Sequence, residues 1–190
     1  MKGYQLYVEL EESPFPIWRR IIIPDDLSFR ELHDVIQCLF QWEDQHLYEF
    51  TVGKYAISSP PDPVISFHTL AMSTPSPMLH SETTLLKKHI RKVGQSFHYL
   101  YDFGDSWVVK LTVENMLDIP SNAIKCIGGE KAGPLEGIGG IPGYMEFLEA
   151  IKNPEHPQYP IYEEWDLLDF DENHFDIEVI NTGLSYSDDE

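Results

Sequence analysis

Residues 97–107 read FHYLYDFGDSW, and residues 126–154 read CIGGEKAGPLEGIGGIPGYMEFLEAIKNP. These two stretches hold the side chains best suited to chemistry: His98, Tyr101, Asp102, Asp105, Trp107, Cys126, Glu130 and Glu136. Carboxylates are hard oxygen donors that suit Mg²⁺ or Ca²⁺. If the 97–107 hairpin meets the glycine-rich loop, Asp102, Asp105 and Glu136 could converge on such an ion. The metal would then activate water against a phosphoester or similar bond. Cys126 with His98 as its base would make a nucleophilic pair, provided the fold brings them within hydrogen-bond reach.

Each feature also has a plainer account. Asp102 and Asp105 flank Gly104, and aspartates at such positions hydrogen-bond a turn's own backbone. No dense ligand motif of the HExxH or EF-hand kind accompanies them. Gly128, Gly129, Gly133, Gly137, Gly139, Gly140 and Gly143 lead towards a helix, whose N-terminus favours anions. The phosphate-loop ending GK[ST] is missing, Pro142 stands where a dinucleotide fingerprint needs glycine, and Glu130 and Glu136 would repel phosphate. The Asp-Phe-Gly triplet lacks the other kinase motifs, and no GxSxG elbow opens a serine triad. Trp18, Trp42, Trp107 and Trp165 read as core anchors.

The elements that must position these residues follow from periodicity. The chain has 190 residues, 42% of them hydrophobic and 24% charged, an ordinary globular composition able to bury a core. YQLYVEL and IWRRIII read as two strands joined by the SPFP turn. The next segment, DDLSFRELHDVIQCLFQW, is the clearest helix. Ser28 and Glu31 stand at capping-box spacing, and Leu27 and Leu32 at that of a hydrophobic staple. Phe29, Leu32, Val35, Ile36, Leu39 and Phe40 form its apolar stripe. His33 lies beside that stripe as a helix-edge packing residue. HLYEFTV is a strand, and KYAIS returns beside it.

Residues 58–84 are a Pro/Ser-rich excursion with VISFH as its ordered piece, and SETTLLKKHIRKVGQ reads as a short helix. FHYLYD and SWVVKLTVEN are strands joined by FGDS. Phe97, Tyr99 and Tyr101 of the first and Trp107, Val109, Leu111 and Val113 of the second give the hairpin one aromatic, apolar face that should meet the core. Tyr144, Phe147, Leu148 and Ile151 stripe a helix after the glycine loop, and Pro160 starts a short one. In NHFDIEVINTGL, Phe175, Ile177 and Val179 alternate like a strand, but Asn173 and Asp176 as a cap and Gly183 at a stop favour a last helix.

The formal net charge is −19, which argues against non-specific binding of DNA or RNA. No run of 18 apolar residues offers a membrane span, and the N-terminus turns polar too early for a signal peptide. Cys38 and Cys126 match no zinc or redox spacing, so a reducing cytoplasm is the expected compartment.

Several motifs, in order, resemble the plasmid pRiA4b ORF-three-like family, also labelled mobile-element passenger proteins. They are IWRRIIIP, FRELHDVIQCLFQWEDQHLYEF, YLYDFGDSW, CIGGE…GIGGIPGY and FDENHFDIEVIN. The resemblance runs from residue 4 to about 184. It implies a single α+β domain of plasmids, transposons and chromosomes, with no established biochemical role. One departure concerns the site. Where the family pattern runs Cys-Pro-Pro-Glu-Asp, this chain has Gly133, Pro134, Leu135, Glu136 and Gly137.

The expected architecture is one α+β domain over 1–184 with an acidic tail at 185–190. Its mixed or antiparallel sheet has a β-grasp-like hairpin–helix–strand start, with C-terminal helices packed on the sheet. The expected function is a non-catalytic binding module for a protein partner, with its pocket by the DFGD turn and the glycine loop. The metal-dependent hydrolase of Asp102, Asp105 and Glu136 stays open. So does an acidic nucleic-acid mimic or antitoxin-like partner of a basic protein. No cofactor is expected beyond that divalent metal.

Overall fold

The computed structural model describes residues 1–59, 77–120 and 124–186. One eight-stranded sheet runs through them in the order β5-β4-β3-β6-β7-β1-β2-β8. The strands are β1 (Lys2–Leu10), β2 (Trp18–Pro24), β3 (Tyr48–Val52), β4 (Tyr55–Ser58), β5 (Met78–His80), β6 (Ser96–Tyr101), β7 (Trp107–Asp118) and β8 (Lys125–Glu130). All neighbours are antiparallel except β4 and β5. The helices are α1 (Phe29–Phe40), α2 (Gly140–Ala150), α3 (Tyr159–Glu164) and α4 (Ile177–Tyr186). No described helix is long and apolar enough to cross a membrane.

Alternation sets the sheet's two faces. Tyr4, Leu6, Val8 and Leu10 of β1 are buried, as are Phe97, Tyr99 and Tyr101 of β6 and Trp107, Val109, Leu111 and Val113 of β7. Gln5, Tyr7 and Glu9 on the opposite face keep partial exposure. Helix α1 covers the apolar face with the stripe expected of it, and all six stripe residues are buried. Its capping box is formed in both directions between Ser28 and Glu31. The hairpin–helix–strand start is present as β1, β2, α1 and β3. The later β6–β7 hairpin inserts between β1 and β3, so the two strongest chemistry candidates, Asp102 and Asp105, hang from the middle of the sheet.

Several expectations need correction. SETTLLKKHIRKVGQ forms only a 3₁₀ turn at Leu86–Lys88. Lys87/Arg91 and Lys88/Lys92 would be like charges at i,i+4 in a helix. The amides of Leu86 and Lys87 instead donate to Leu27 and Asp25 beside the start of α1. The first part of the glycine-rich stretch is strand, not loop: β8 pairs with β2 and turns Cys126 into the core. The carboxylate of Asp176 caps α4, accepting from the amides of Glu178 and Val179. Asn173 instead accepts from Lys131. Gly183 lies within α4 because Cys38 Sγ fills the space of a side chain, 2.7 Å from where a Cβ would stand. Trp165 is 59% exposed and anchors no core, whereas Trp42 and Trp107 are buried and Trp18 half-buried. VISFH and the end of the acidic tail fall outside the described residues.

Candidate functional site

The DFGD turn begins at Asp102, whose backbone is left-handed (φ 54°) and whose side chain is buried. Its Oδ1 accepts from the amides of Gly104 (2.8 Å) and Asp105 (3.3 Å), and its carbonyl from Ser106. Aspartate suits this conformation because its short side chain can satisfy the turn's own donors. Asp105 reaches outward. Its Oδ2 accepts from the amide of Gly139 at 3.0 Å, just before α2. The fit is tight: a Cβ on Gly140 would stand 2.3 Å from the Asp105 carbonyl oxygen. The turn and the glycine loop therefore do meet, and Asp105 is the tie.

The loop's first half docks on the end of α1. Trp42 Nε1 donates to the Pro134 carbonyl at 2.9 Å, and Trp42 stacks between Phe40 and Tyr101. Gly133 sits so close to Phe40 that a Cβ would come within 2.3 Å of its carbonyl oxygen. Glu136 accepts from the Tyr101 hydroxyl on one oxygen and from the Glu43 amide (2.5 Å) on the other. Burial, then the Glu136 carboxylate, pushes the Tyr101 hydroxyl well above its ordinary range. Tyr101 also accepts from the amide of Gln45.

Behind this wall lies a closed ring of hydrogen bonds. His33 Nε2 meets Asp44 Oδ1 at 2.8 Å, and His33 Nδ1 meets the Tyr99 hydroxyl at 2.7 Å. Gln37 donates to the same hydroxyl and accepts from the Asp44 amide. One tautomer satisfies every member: Nε2–H donates to the Asp44 carboxylate, and Nδ1 accepts from Tyr99. His33 is fully buried and stacks on Tyr48 at 3.7 Å. Burial holds the imidazole down at about 4, with Asp44 pulling the other way. His33 is thus no helix-edge residue but the centre of a polar core that pins the 41–46 loop.

The loop, the 132–137 segment and residues 167–174 enclose an open cleft of about 730 Å³. Four carboxylates line it, from Glu43, Glu136, Asp169 and Asp171, together with His46 and His174. No lysine or arginine is among its described lining residues. His46 Nε2 lies 3.5 Å from Asp102 Oδ2 at the cleft's edge.

The expected site residues divide accordingly. Tyr101, Asp102, Asp105 and Glu136 come together around the turn and the loop. Trp107 is wholly in the core. His98 faces out from β6 beside Glu11, with β7, β1 and β2 between it and β8, roughly 19 Å at ordinary strand spacing. Cys126 is buried on β8, and burial pushes its thiol up, so the Cys126–His98 pair does not exist. Glu130 accepts from Trp18 Nε1. The carboxylates of Asp102, Asp105 and Glu136 are each bound to backbone amides. Among the described residues, the ligand atoms that gather within 4.8 Å belong instead to His33, Asp34 and Asp44. Arg30 already neutralises that group, with Nη2 at 2.9 Å from both aspartates.

Sequence reasoning missed Glu43, His46, Asp169, Asp171 and His174. The available signal was WEDQH, residues 42–46, a polar run between a helix stop and a strand start.

Residues 2–179 match the family model described as plasmid pRiA4b ORF-3-like protein. The chain belongs to that family. The crystal structure of a protein of unknown function, MM3350 from Methanosarcina mazei Go1, is similar over 93% of this chain and 96% of that one. The identity is 31% and the TM-score 0.79. An uncharacterized protein, y4hQ from Sinorhizobium fredii (strain NBRC 101917 / NGR234), is 28% identical over 110 residues, 58% of this chain. The matched part is 52% of that relative, about half its length. None of these relatives has an established function in its description.

Proposed function

We propose that this protein is a non-catalytic binding module whose cleft takes a cationic segment of a protein partner. The observation that carries the reading is the lining: four carboxylates and, among the described residues, no lysine or arginine around one concavity. A guanidinium or ammonium group entering it gains charge-assisted hydrogen bonds. The carboxylates that looked catalytic in sequence have structural work. Asp102 closes its turn, Asp105 ties the turn to the loop, and Glu136 joins Tyr101 to the 41–46 loop.

The test is fluorescence anisotropy of a labelled arginine-rich peptide against three proteins. These are the wild type, an Asp169→Asn/Asp171→Asn variant, and a Glu163→Gln/Glu164→Gln control of equal charge. Saturable binding weakened about tenfold in the cleft variant alone supports the reading. Equal weakening in both variants reduces it to general charge attraction and overturns it, as does an absence of binding.

One observation favours a hydrolytic reading. A buried carboxylate, Asp102, lies beside a half-exposed imidazole, His46, at the cleft, as in sites where a carboxylate orients a general base. The described lining offers no serine, threonine or cysteine nucleophile, so attack would fall to water. Hydrolysis of bis(p-nitrophenyl) phosphate with added Mn²⁺, abolished in a folded His46→Asn variant, would establish this reading over the first.

A further inference from the structure

The chain's cations are unevenly placed. It has 13 lysines and arginines against 32 acidic residues. Lys54, Lys87, Lys88, Arg91 and Lys92 are all exposed, and four of them fall within one short turn. Lys54 joins that turn through aromatic contacts: its Nζ lies 5.4 Å over the Tyr55 ring, which meets the His89 ring edge-on at 4.9 Å. None of the five forms an ion pair among the described residues, although Asp25 and Asp26 are near in the fold. The patch is built rather than loose. Arg91 Nε and Nη2 donate to the Lys88 carbonyl, and the Leu86 amide donates to Leu27 at 2.8 Å.

The two charged features sit at opposite ends of one rigid element. The basic turn is pinned beside the start of α1, and Phe40 and Gln41 at its other end border the acidic cleft. Twelve helical residues separate them, about 18 Å at 1.5 Å per residue. A patch at one end and a complementary cleft at the other make a heterologous, head-to-tail pair.

We propose that the occupant of the cleft is the Lys87–Lys92 turn of a second copy of this chain. The proposal rests on the cleft being a cation site, as argued above, and names the partner by charge complementarity. Two molecules of charge −19 repel as wholes. At about 0.1 M salt the screening length is roughly 10 Å, so distant charges fade while contacts inside the cleft persist. Association therefore peaks at intermediate salt and falls at both extremes.

Sedimentation velocity on the full chain across a salt series, with two loss variants, tests this. Lys87→Ser/Lys88→Ser removes the patch and keeps the cleft. Asp169→Asn/Asp171→Asn removes the cleft and keeps the patch. The expected result is concentration-dependent association of the wild type at about 0.1 M salt, lost at about 0.5 M. Each variant alone is monomeric, and their equal mixture forms a dimer, because one intact cleft then meets one intact patch. A wild type that stays monomeric throughout overturns the proposal, as does a mixture that stays monomeric. If the arginine-rich peptide still binds in that case, the cleft reading survives and only the second copy is wrong. If the peptide fails too, both fall. Tight binding of a fluorescent oligonucleotide that is lost in the lysine variant would assign the patch to nucleic acid and also overturn the proposal.

Discussion

His33 and Asp102 are both buried polar residues behind the same cleft, and they hold their surroundings in opposite ways. Asp102 works mainly on its own turn: its Oδ1 and carbonyl accept from amides two to four positions along the chain, while its amide donates to Leu47 and its Oδ2 lies 3.5 Å from His46 Nε2. His33 works across the fold, joining α1 to β6 and to the 41–46 loop through a ring in which each member has a partner. A local bond can be replaced by water when a turn frays. The ring's His33, Gln37 and Tyr99 are buried, so losing a partner there leaves polar atoms in a low-dielectric interior, although Asp44 at its rim stays exposed and paired with Arg30. The residue with the more chemical appearance in sequence is therefore expected to matter less for the fold than His33.

Breaking the ring should have the largest effect. His33→Leu leaves the Asp44 carboxylate and the Tyr99 hydroxyl without their shared partner. It should cost about 3 kcal/mol in urea unfolding. Asp102→Ala loses two turn bonds and keeps an unfavourable left-handed backbone, for about 2 kcal/mol, whereas Asp102→Asn should recover most of that. Asp105→Ala frees only the exposed Gly139 amide and should cost about 1 kcal/mol. The cleft variant Asp169→Asn/Asp171→Asn should lie within about 0.5 kcal/mol of wild type, since both residues are exposed. If Asp102→Ala proved costlier than His33→Leu, the contrast between local and long-range ties would fail.

Acid sharpens the same contrast. The folded His33 titrates near 4 and an unfolded histidine near 6.5, so the unfolded chain binds the proton first. Stability from His33 is thus fully present above about 6.5. It is lost as pH falls towards 4, on the order of 3 kcal/mol over that window. The measurement is the difference between wild-type and His33→Gln unfolding free energies at each pH, which subtracts the carboxylates common to both. A difference that does not change with pH between 6.5 and 4 (roughly, the unfolded and folded values) would place His33 in solvent contact.

Local pattern determined much here. The capping box at Ser28 and Glu31, the α1 stripe and the inward faces of β1, β6 and β7 were legible because they depend on spacing within one element. The meeting of the DFGD turn with the glycine loop was also anticipated as a condition, and Asp105 meets it. What spacing cannot carry is which elements become neighbours. Cys126 and His98 looked like a pair until the sheet order put three strands between them. His33 looked peripheral because its two hydrogen-bond partners, Asp44 and Tyr99, come from 11 and 66 positions away. The cleft needed three separate segments, at 40–46, 132–137 and 167–174, and its acidity exists only once they converge. Periodicity is a property of one segment's own backbone. Burial, sheet order and shared cavities are set by contacts between distant segments, and these the tertiary structure alone decided.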